Sequence, residues 1–394
     1  MYKIAFLCIP AHGHTNPTLA VVRELTRRGC EVRYYSYLAF REKIEESGAV
    51  FISCDEYGKT TVNSDNQAQV AFDLACSIHI LTDTALALDE MICRTLKEFQ
   101  PDCIVADSMA VWGKFAAYKL GIPFVSSTTT FAFNRFSARI MKPSLHQMLS
   151  TLKSLPDVHR DLKRLKKQGY PVKNFLSILQ NEEGTPTIVY TSKEFQPCSD
   201  TFSDKYAFVG PSVCLPSPIS KTPGKKLVYI SMGTVNNRLP HFYQNCLAAF
   251  SDEKYAVILS VGNEVDISSL GTIPPNCTVE HQVNQLAILQ QADVFLSHCG
   301  MNSVSESLYC GVPLVLFPQT QEQSGVANRV LELGAGLLLK EGQPESIRKA
   351  VEAVLSDPHL YQKAVEISES FHRAGGAYAA AEHILQQIKQ KTIS

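Results

Sequence analysis

Two doubly wound α/β domains in tandem, each built on a parallel sheet, are what the sequence predicts, and three observations carry that expectation. Short apolar runs of strand length, at 4–9 and 227–231, each lead into a turn rich in glycine and in hydroxyl or imidazole groups. Such runs alternate with helix-length segments, the pattern of parallel strands covered on both faces. Between the halves, the stretch 209–226 is dense in Pro, Ser and Gly, a composition that favours extended backbone with few packing contacts.

In the first half, the run at 4–9 is followed by Ala11-His12-Gly13-His14-Thr15-Asn16-Pro17. Pro17 is expected at the start of a helix, where its missing N–H costs nothing. That helix should close on Arg27 and Arg28 with Gly29 behind them, and a second strand follows at 31–35. The pattern repeats with a strand at 103–106, a helix at 109–120 ended by Gly121, and a strand from 124, each unit taking a right-handed crossover. The segment 135–175 is expected to be mostly helical, with Lys153, Arg160, Lys163, Arg164, Lys166 and Lys167 on a solvated face. Further strands are expected at 256–259, 294–296 and 314–317. The resulting division is a domain at 1–208, a linker at 209–226 and a domain at 227–376.

The chain's 394 residues suit two cores. A charged fraction of 19% and a net charge of −1 provide no field to steer the chain toward nucleic acid or anionic lipid. Twelve cysteines without a C-x-x-C pair point to buried thiols in a reducing compartment. The apolar start is too short for a secretion signal and no run is long enough for a membrane span. A cytoplasmic monomer or weak dimer is the expectation.

In doubly wound sheets ligands bind beyond the carboxyl ends of the strands. At one such end stands Ser297-His298-Cys299-Gly300-Met301-Asn302-Ser303-Val304-Ser305-Glu306. Gly300 is expected to make the turn and Asn302 or Ser303 to open a helix, whose free amides and dipole can hold a phosphate without a lysine. His298, Asn302 and Ser303 add donors. The same letters also spell an S-x-x-E capping box, Ser303 with Glu306, which would satisfy the helix without a ligand. Ser231-Met232-Gly233-Thr234 forms a second neutral donor loop, so the two can bracket a diphosphate. Neither G-x-G-x-x-G nor a P-loop is present, and no D-x-D pair offers to carry Mg²⁺; no metal and no resident cofactor are expected. Amide donors alone suit a diphosphate that departs as a leaving group. Glu322 and Gln323, after the run at 314–317, are candidates for a polyhydroxylated group. In the first half, an imidazole of the 11–17 turn is a candidate general base, with Asp107 at the end of the next strand to orient it. Phe72, Trp112, Phe131, Phe133 and Phe136 are candidate walls of an apolar acceptor pocket, though such residues are as often plain core.

Together, IPAHGHTNPTLAV, VADSM, ISMGT, HCGMNSVSE, GVPLVLFPQTQEQ and ANRVLELGAG resemble the UDP-glycosyltransferases of the GT-B fold, especially the bacterial macrolide glycosyltransferase-like branch with its YjiC-type members. The resemblance implies that His14 deprotonates an acceptor hydroxyl with Asp107 as its partner. It further implies that Ser231, Gly233, Thr234, His298, Gly300, Asn302 and Ser303 surround the donor diphosphate. Glu306 would take ribose hydroxyls, Glu322 and Gln323 the sugar, and the segment 282–285 the base. Here Gln282, Val283, Asn284 and Gln285 depart from the commoner W-x-P-Q pattern, an amide standing where an indole would stack. The resemblance also implies that 377–394 returns to the first domain. The activity so implied is inverting, metal-independent transfer of a hexose from a nucleotide-sugar co-substrate such as UDP-glucose to a lipophilic small molecule. A nucleotide-sugar epimerase and a non-catalytic nucleotide-sugar-binding protein are the alternatives.

Overall fold

The computed structural model describes residues 1–56, 74–137, 145–174, 176–179, 184–221, 223–234 and 237–393. The chain divides into two compact units, Met1–Ser212 with Ala374–Ser394, and Val213–Arg373.

In the first unit the described strands are β1 Lys3–Leu7, β2 Glu31–Ser36, β3 Val50–Ser53, β4 Cys103–Asp107, β5 Phe124–Thr128, β6 Thr187–Val189 and β7 Tyr206–Phe208. They form a parallel sheet in the order β3-β2-β1-β4-β5-β6-β7. The helices between them are α1 His12–Arg27, α2 Arg41–Glu46, α3 Leu74–Phe99, α4 Val111–Leu120, α5 Leu145–Lys167 and α6 Leu176–Leu179. Alternation along β1 explains its unbroken apolar run. Ile4 and Phe6 pack with Val21, Val22 and Leu25 of α1, while Ala5 and Leu7 pack with Leu88 and Ile92 of α3 and Trp112 and Phe115 of α4. Each such aliphatic side chain contributes about 1.5–3 kcal/mol on full burial. Gly121, at φ 65, ends α4 in the left-handed conformation that the sequence suggested.

The second unit holds β8 Leu227–Ser231, β9 Ala256–Ser260, β10 Cys277–Glu280, β11 Val294–Ser297, β12 Leu314–Leu316 and β13 Gly336–Leu338, with α7 Pro240–Ala249, α8 Gln285–Leu289, α9 Met301–Tyr309, α10 Gln321–Leu333, α11 Pro344–Ser356 and α12 Pro358–Arg373. Its sheet is also parallel, in the order β10-β9-β8-β11-β12-β13. Val228, Ile230 and Leu296 meet Phe242 and Leu247 of α7 and Ile347 and Val351 of α11 in its core. The last helix, α13 Gly376–Ile393, packs in the first unit, where Ala380, Ile384 and Ile388 share a core with α1. The Arg28 guanidinium fastens it, bonding Glu382 at 2.8 Å and lying 4.4 Å from the Tyr378 ring centre. Gly375 and Gly376, at φ 90 and 56, turn the chain into that helix. Among the described residues no helix is long and apolar enough to cross a membrane.

The stretch 209–226 makes more contacts than its composition suggests. Val209 and Gly210 donate to Val189 and Thr191 carbonyls of the first unit, while Ile219 donates to Ala287, and Lys221 and Lys226 pair with Asp293, in the second. Backbone groups of an extended segment still need partners, and here the neighbouring strand and helix ends supply them.

In both sheets the strand order reverses at one place, between β1 and β4 and between β8 and β11. Such reversals open a crevice at the carboxyl ends of the strands.

Candidate functional site

At the first reversal, β1 ends at Leu7 and α1 begins at His12, so His14 lies in the first turn of a helix and not in a loop; Pro17 sits a full turn inside that helix. A proline there brings no N–H to the carbonyl four residues back, so the second turn of α1 carries one backbone bond fewer. Being in a helix fixes the His14 backbone. Its Nδ1 lies 2.8 Å from Asp107 Oδ2 at the end of β4 and 3.1 Å from Thr129 Oγ1 just past β5. The other carboxylate oxygen, Oδ1, accepts from the Met109 amide at 2.9 Å. The Asp107 side chain is fully buried, and that of His14 is 21% exposed. With its proton on Nδ1 toward the carboxylate, the neutral ring keeps its lone pair on Nε2, and Asp107 stabilises the imidazolium once that lone pair takes a proton. Such an arrangement can serve as a general base.

At the second reversal, β11 ends at Ser297 and α9 begins at Met301. The turn is made by Cys299, at φ 68, rather than by Gly300, which is extended at φ −61 and occupies the N-cap. Glycine is needed at 300 for another reason: a Cβ there would stand 2.5 Å from His298 Nε2. A Cβ on Gly233, at φ +77 beyond β8, would meet the same ring at 2.5 Å. The imidazole of His298 is thus wedged between the two glycine loops. Burial pushes its pKa down to about 4, against a smaller opposite pull from the Ser231 backbone, and among the described residues Nδ1 finds no partner of good hydrogen-bond geometry. His298 is therefore neutral near pH 7 and spaces the two loops. No side-chain cap forms on α9, so the Ser303–Glu306 capping box suggested by sequence is not made. The N-terminus of α9 presents its dipole, equivalent to about +0.5 charge, at the loop that follows β11. Ser231 Oγ accepts from the Gly233 amide at 3.3 Å, shaping the partner loop.

Ser303 and Glu306 instead face Gln285. Gln285 Nε2 donates to Glu306 Oε2 at 2.7 Å and lies 3.5 Å from Ser303 Oγ, while Tyr229 of β8 donates to Gln285 Oε1 at 3.1 Å. Burial raises the Glu306 pKa and the Gln285 bond opposes it. Asn284, where the commoner pattern has Pro, caps α8 by accepting from the Ala287 amide at 3.2 Å. Gln282 is exposed and Val283 half-buried. A true capping box does occur, at Thr320 and Gln323 of α10, which commits the Gln323 carboxamide oxygen to the Thr320 and Gln319 amides. Glu322, beside it in the first turn, is exposed.

The aromatic candidates divide. Trp112 and Phe131 are buried, Trp112 against β1 and α3 and Phe131 beside Phe195. Phe133 is half-buried, and Phe136 is exposed under the Arg135 guanidinium. Phe72 lies outside the described residues. Sequence reasoning missed Thr129 and Tyr229. The hydroxyl run at 126–130, on the same sheet edge as Asp107, was the available signal for the first; a tyrosine within a buried strand gave none for the second.

Residues 245–375 match the family described as Erythromycin biosynthesis protein CIII-like, C-terminal domain. Over its whole length the chain is 34% identical to the NDP-glycosyltransferase YjiC of Bacillus subtilis, covering 99% of that protein. With the NDP-glycosyltransferase YjiC of Bacillus licheniformis it shares 36% identity over 97% of this chain and 96% of the other. The crystal structure of the glycotransferase of kitacinnamycin matches with a TM-score of 0.86 at 26% identity, over 98% of this chain and 99% of that one. Full-length identity at this level, on two parallel sheets of this strand order, makes the chain a member of the YjiC-type, macrolide glycosyltransferase-like family of GT-B glycosyltransferases.

Proposed function

We propose that the chain transfers a hexose, with inversion and without a metal ion, from a nucleoside diphosphate sugar to a hydroxyl of a lipophilic small molecule such as a macrolide, flavonoid or other phenolic. UDP-glucose is the first donor to test. The observation that carries the reading is the coincidence of chemistry with topology: the base-like His14–Asp107 pair and the α9 N-terminus each stand at the strand-order reversal of their own sheet.

In this reading the diphosphate is held by the 231–234 loop and by the amides at the start of α9, which gain most as negative charge develops on the departing group. Asn302 and Ser303 add side-chain donors, and His298 keeps both loops in register. Glu306, oriented by Gln285, accepts from ribose hydroxyls; Glu322 and Gln323 serve the sugar, Gln323 through its amide nitrogen. The base rests on Gln282 and Val283 without an aromatic platform. His14 Nε2 removes the acceptor proton as the acceptor oxygen attacks the anomeric carbon and the diphosphate leaves from its opposite face. One bond forms, one breaks, and the proton ends on the imidazole. Phe133 and Phe136 are the aromatic candidates with surface to offer an apolar acceptor.

The test is incubation with UDP-glucose and a panel of phenols and macrolides in excess chelator. The expected result is a hexose-sized mass gain, a β-anomeric proton coupling in the product and undiminished turnover. A requirement for Mg²⁺, retained α configuration, or isomerised donor without transfer would overturn the reading.

A further inference from the structure

We infer that Asn237 is a positioning residue for the donor diphosphate, acting through the peptide plane between Gly233 and Thr234; this rests on the proposed role of the 231–234 loop. Asn237 is only 3% exposed, and its Nδ2 donates to the Gly233 carbonyl at 3.0 Å. No peptide bond among the described residues is cis. In a planar trans peptide the C=O and the following N–H point in opposite directions. Tying the Gly233 carbonyl to Asn237 therefore aims the Thr234 N–H away from Asn237. Gly233 and Gly300 both touch the His298 ring, so this peptide lies alongside the start of α9. An N–H held in that place makes a charge-assisted bond to a phosphate oxygen without reorganising.

Two further features set Asn237 apart from ordinary packing. Its Oδ1 is buried without a hydrogen-bond partner among the described residues. Burial of an unpaired carboxamide oxygen is unfavourable, and an apolar residue would avoid it, so the donating end is what the position retains. The side chain also needs a dedicated seat. A Cβ on Gly262, at φ +80 beyond β9, would stand 2.0 Å from Asn237 Nδ2. Gly262 is itself fixed from both sides, its amide donating to the His281 carbonyl at 2.9 Å and its carbonyl accepting from His281 Nδ1 at 2.9 Å. The loops after β8, β9 and β10 thus converge on one hydrogen bond.

The test compares UDP binding by calorimetry with uridine binding by ligand-observed NMR, in the wild-type chain, Asn237→Asp, Asn237→Ala and Gly262→Ala, each checked for folding by thermal melting. Asn237→Asp preserves size but turns an acceptor toward the Gly233 carbonyl, and Gly262→Ala dislodges the side chain from the other side. UDP affinity should fall about tenfold or more in every folded variant, the scale of one bond to a charged group, while uridine affinity stays within about twofold, since it makes no phosphate contact. Donor KM should rise more than kcat falls. Unchanged UDP affinity in any folded Asn237 variant, or a parallel loss of uridine, would overturn the inference and leave the donor reading intact. A wild-type chain that binds neither UDP nor thymidine diphosphate would remove both.

Discussion

At the scale of single residues, two oxygens within hydrogen-bond reach of His14 Nδ1 differ in what they do. Asp107 Oδ2, at 2.8 Å, is a buried carboxylate that fixes the tautomer; Thr129 Oγ1, at 3.1 Å, is a neutral hydroxyl that shares the same hydrogen and limits rotation of the ring. Thr129→Val should lower kcat by about two- to tenfold, the effect of roughly 0.5–1.5 kcal/mol, and Thr129→Ser should restore it, with donor KM unmoved in both. His298 offers a test by pH. Its folded pKa, near 4, lies below its ordinary 6.5, so the unfolded chain binds the extra proton first. Stability from this group is complete above about pH 6.5 and is lost as pH falls toward 4, at no more than about 1.4 kcal/mol per pH unit. Glu306, raised by burial, acts in the opposite sense. Thermal melts of wild type and His298→Gln between pH 4 and 7 isolate the histidine: the variant should show the shallower decline toward acid.

At the scale of elements, much was legible and the exceptions have physical causes. The strand and helix sequence around β1, α1 and β2 could be read because a parallel strand buried on both faces is a continuous apolar run and because Arg27, Arg28 and Gly29 mark a helix end. The start of α1 could not, since Pro17 lies in the second turn of α1 rather than at its head, so the proline marks the helix without marking where it begins. The 297–303 turn misled differently. Glycine ordinarily signals positive φ, but at 300 it serves close approach of the His298 ring, and the left-handed residue is Cys299, whose amide is held by Ser297 Oγ at 3.1 Å. The capping-box letters at Ser303 and Glu306 were outcompeted by Gln285, which pulls both side chains toward α8. Gly300→Ala should therefore destabilise the fold by about 1–3 kcal/mol as an overpacked contact does, and adding His298→Ala should recover part of that loss. If the double variant melts no higher than Gly300→Ala alone, the wedge is not what requires glycine.

At the scale of the molecule, two sheets of matching order carry two different chemistries at equivalent places. The first presents a nitrogen base held by a carboxylate, the second an uncapped helix start and a glycine loop. The sequence made the sheets and both sets of loops readable, because each set directly follows an apolar strand. It left the candidate aromatic walls largely unread, since the spacing of Trp112 and Phe131 is shared by pocket walls and plain core, and both are buried. The proposal assigns the base to one unit and the leaving group to the other, so a change at His14 must separate chemistry from donor binding. The most direct measurement is UDP affinity alongside single-turnover transfer for wild type and His14→Ala. The account predicts an affinity unchanged within about twofold and transfer slowed roughly 10²- to 10⁴-fold, the usual contribution of a general base. Transfer at the wild-type rate, or a loss of affinity that matches the loss of rate, would contradict it.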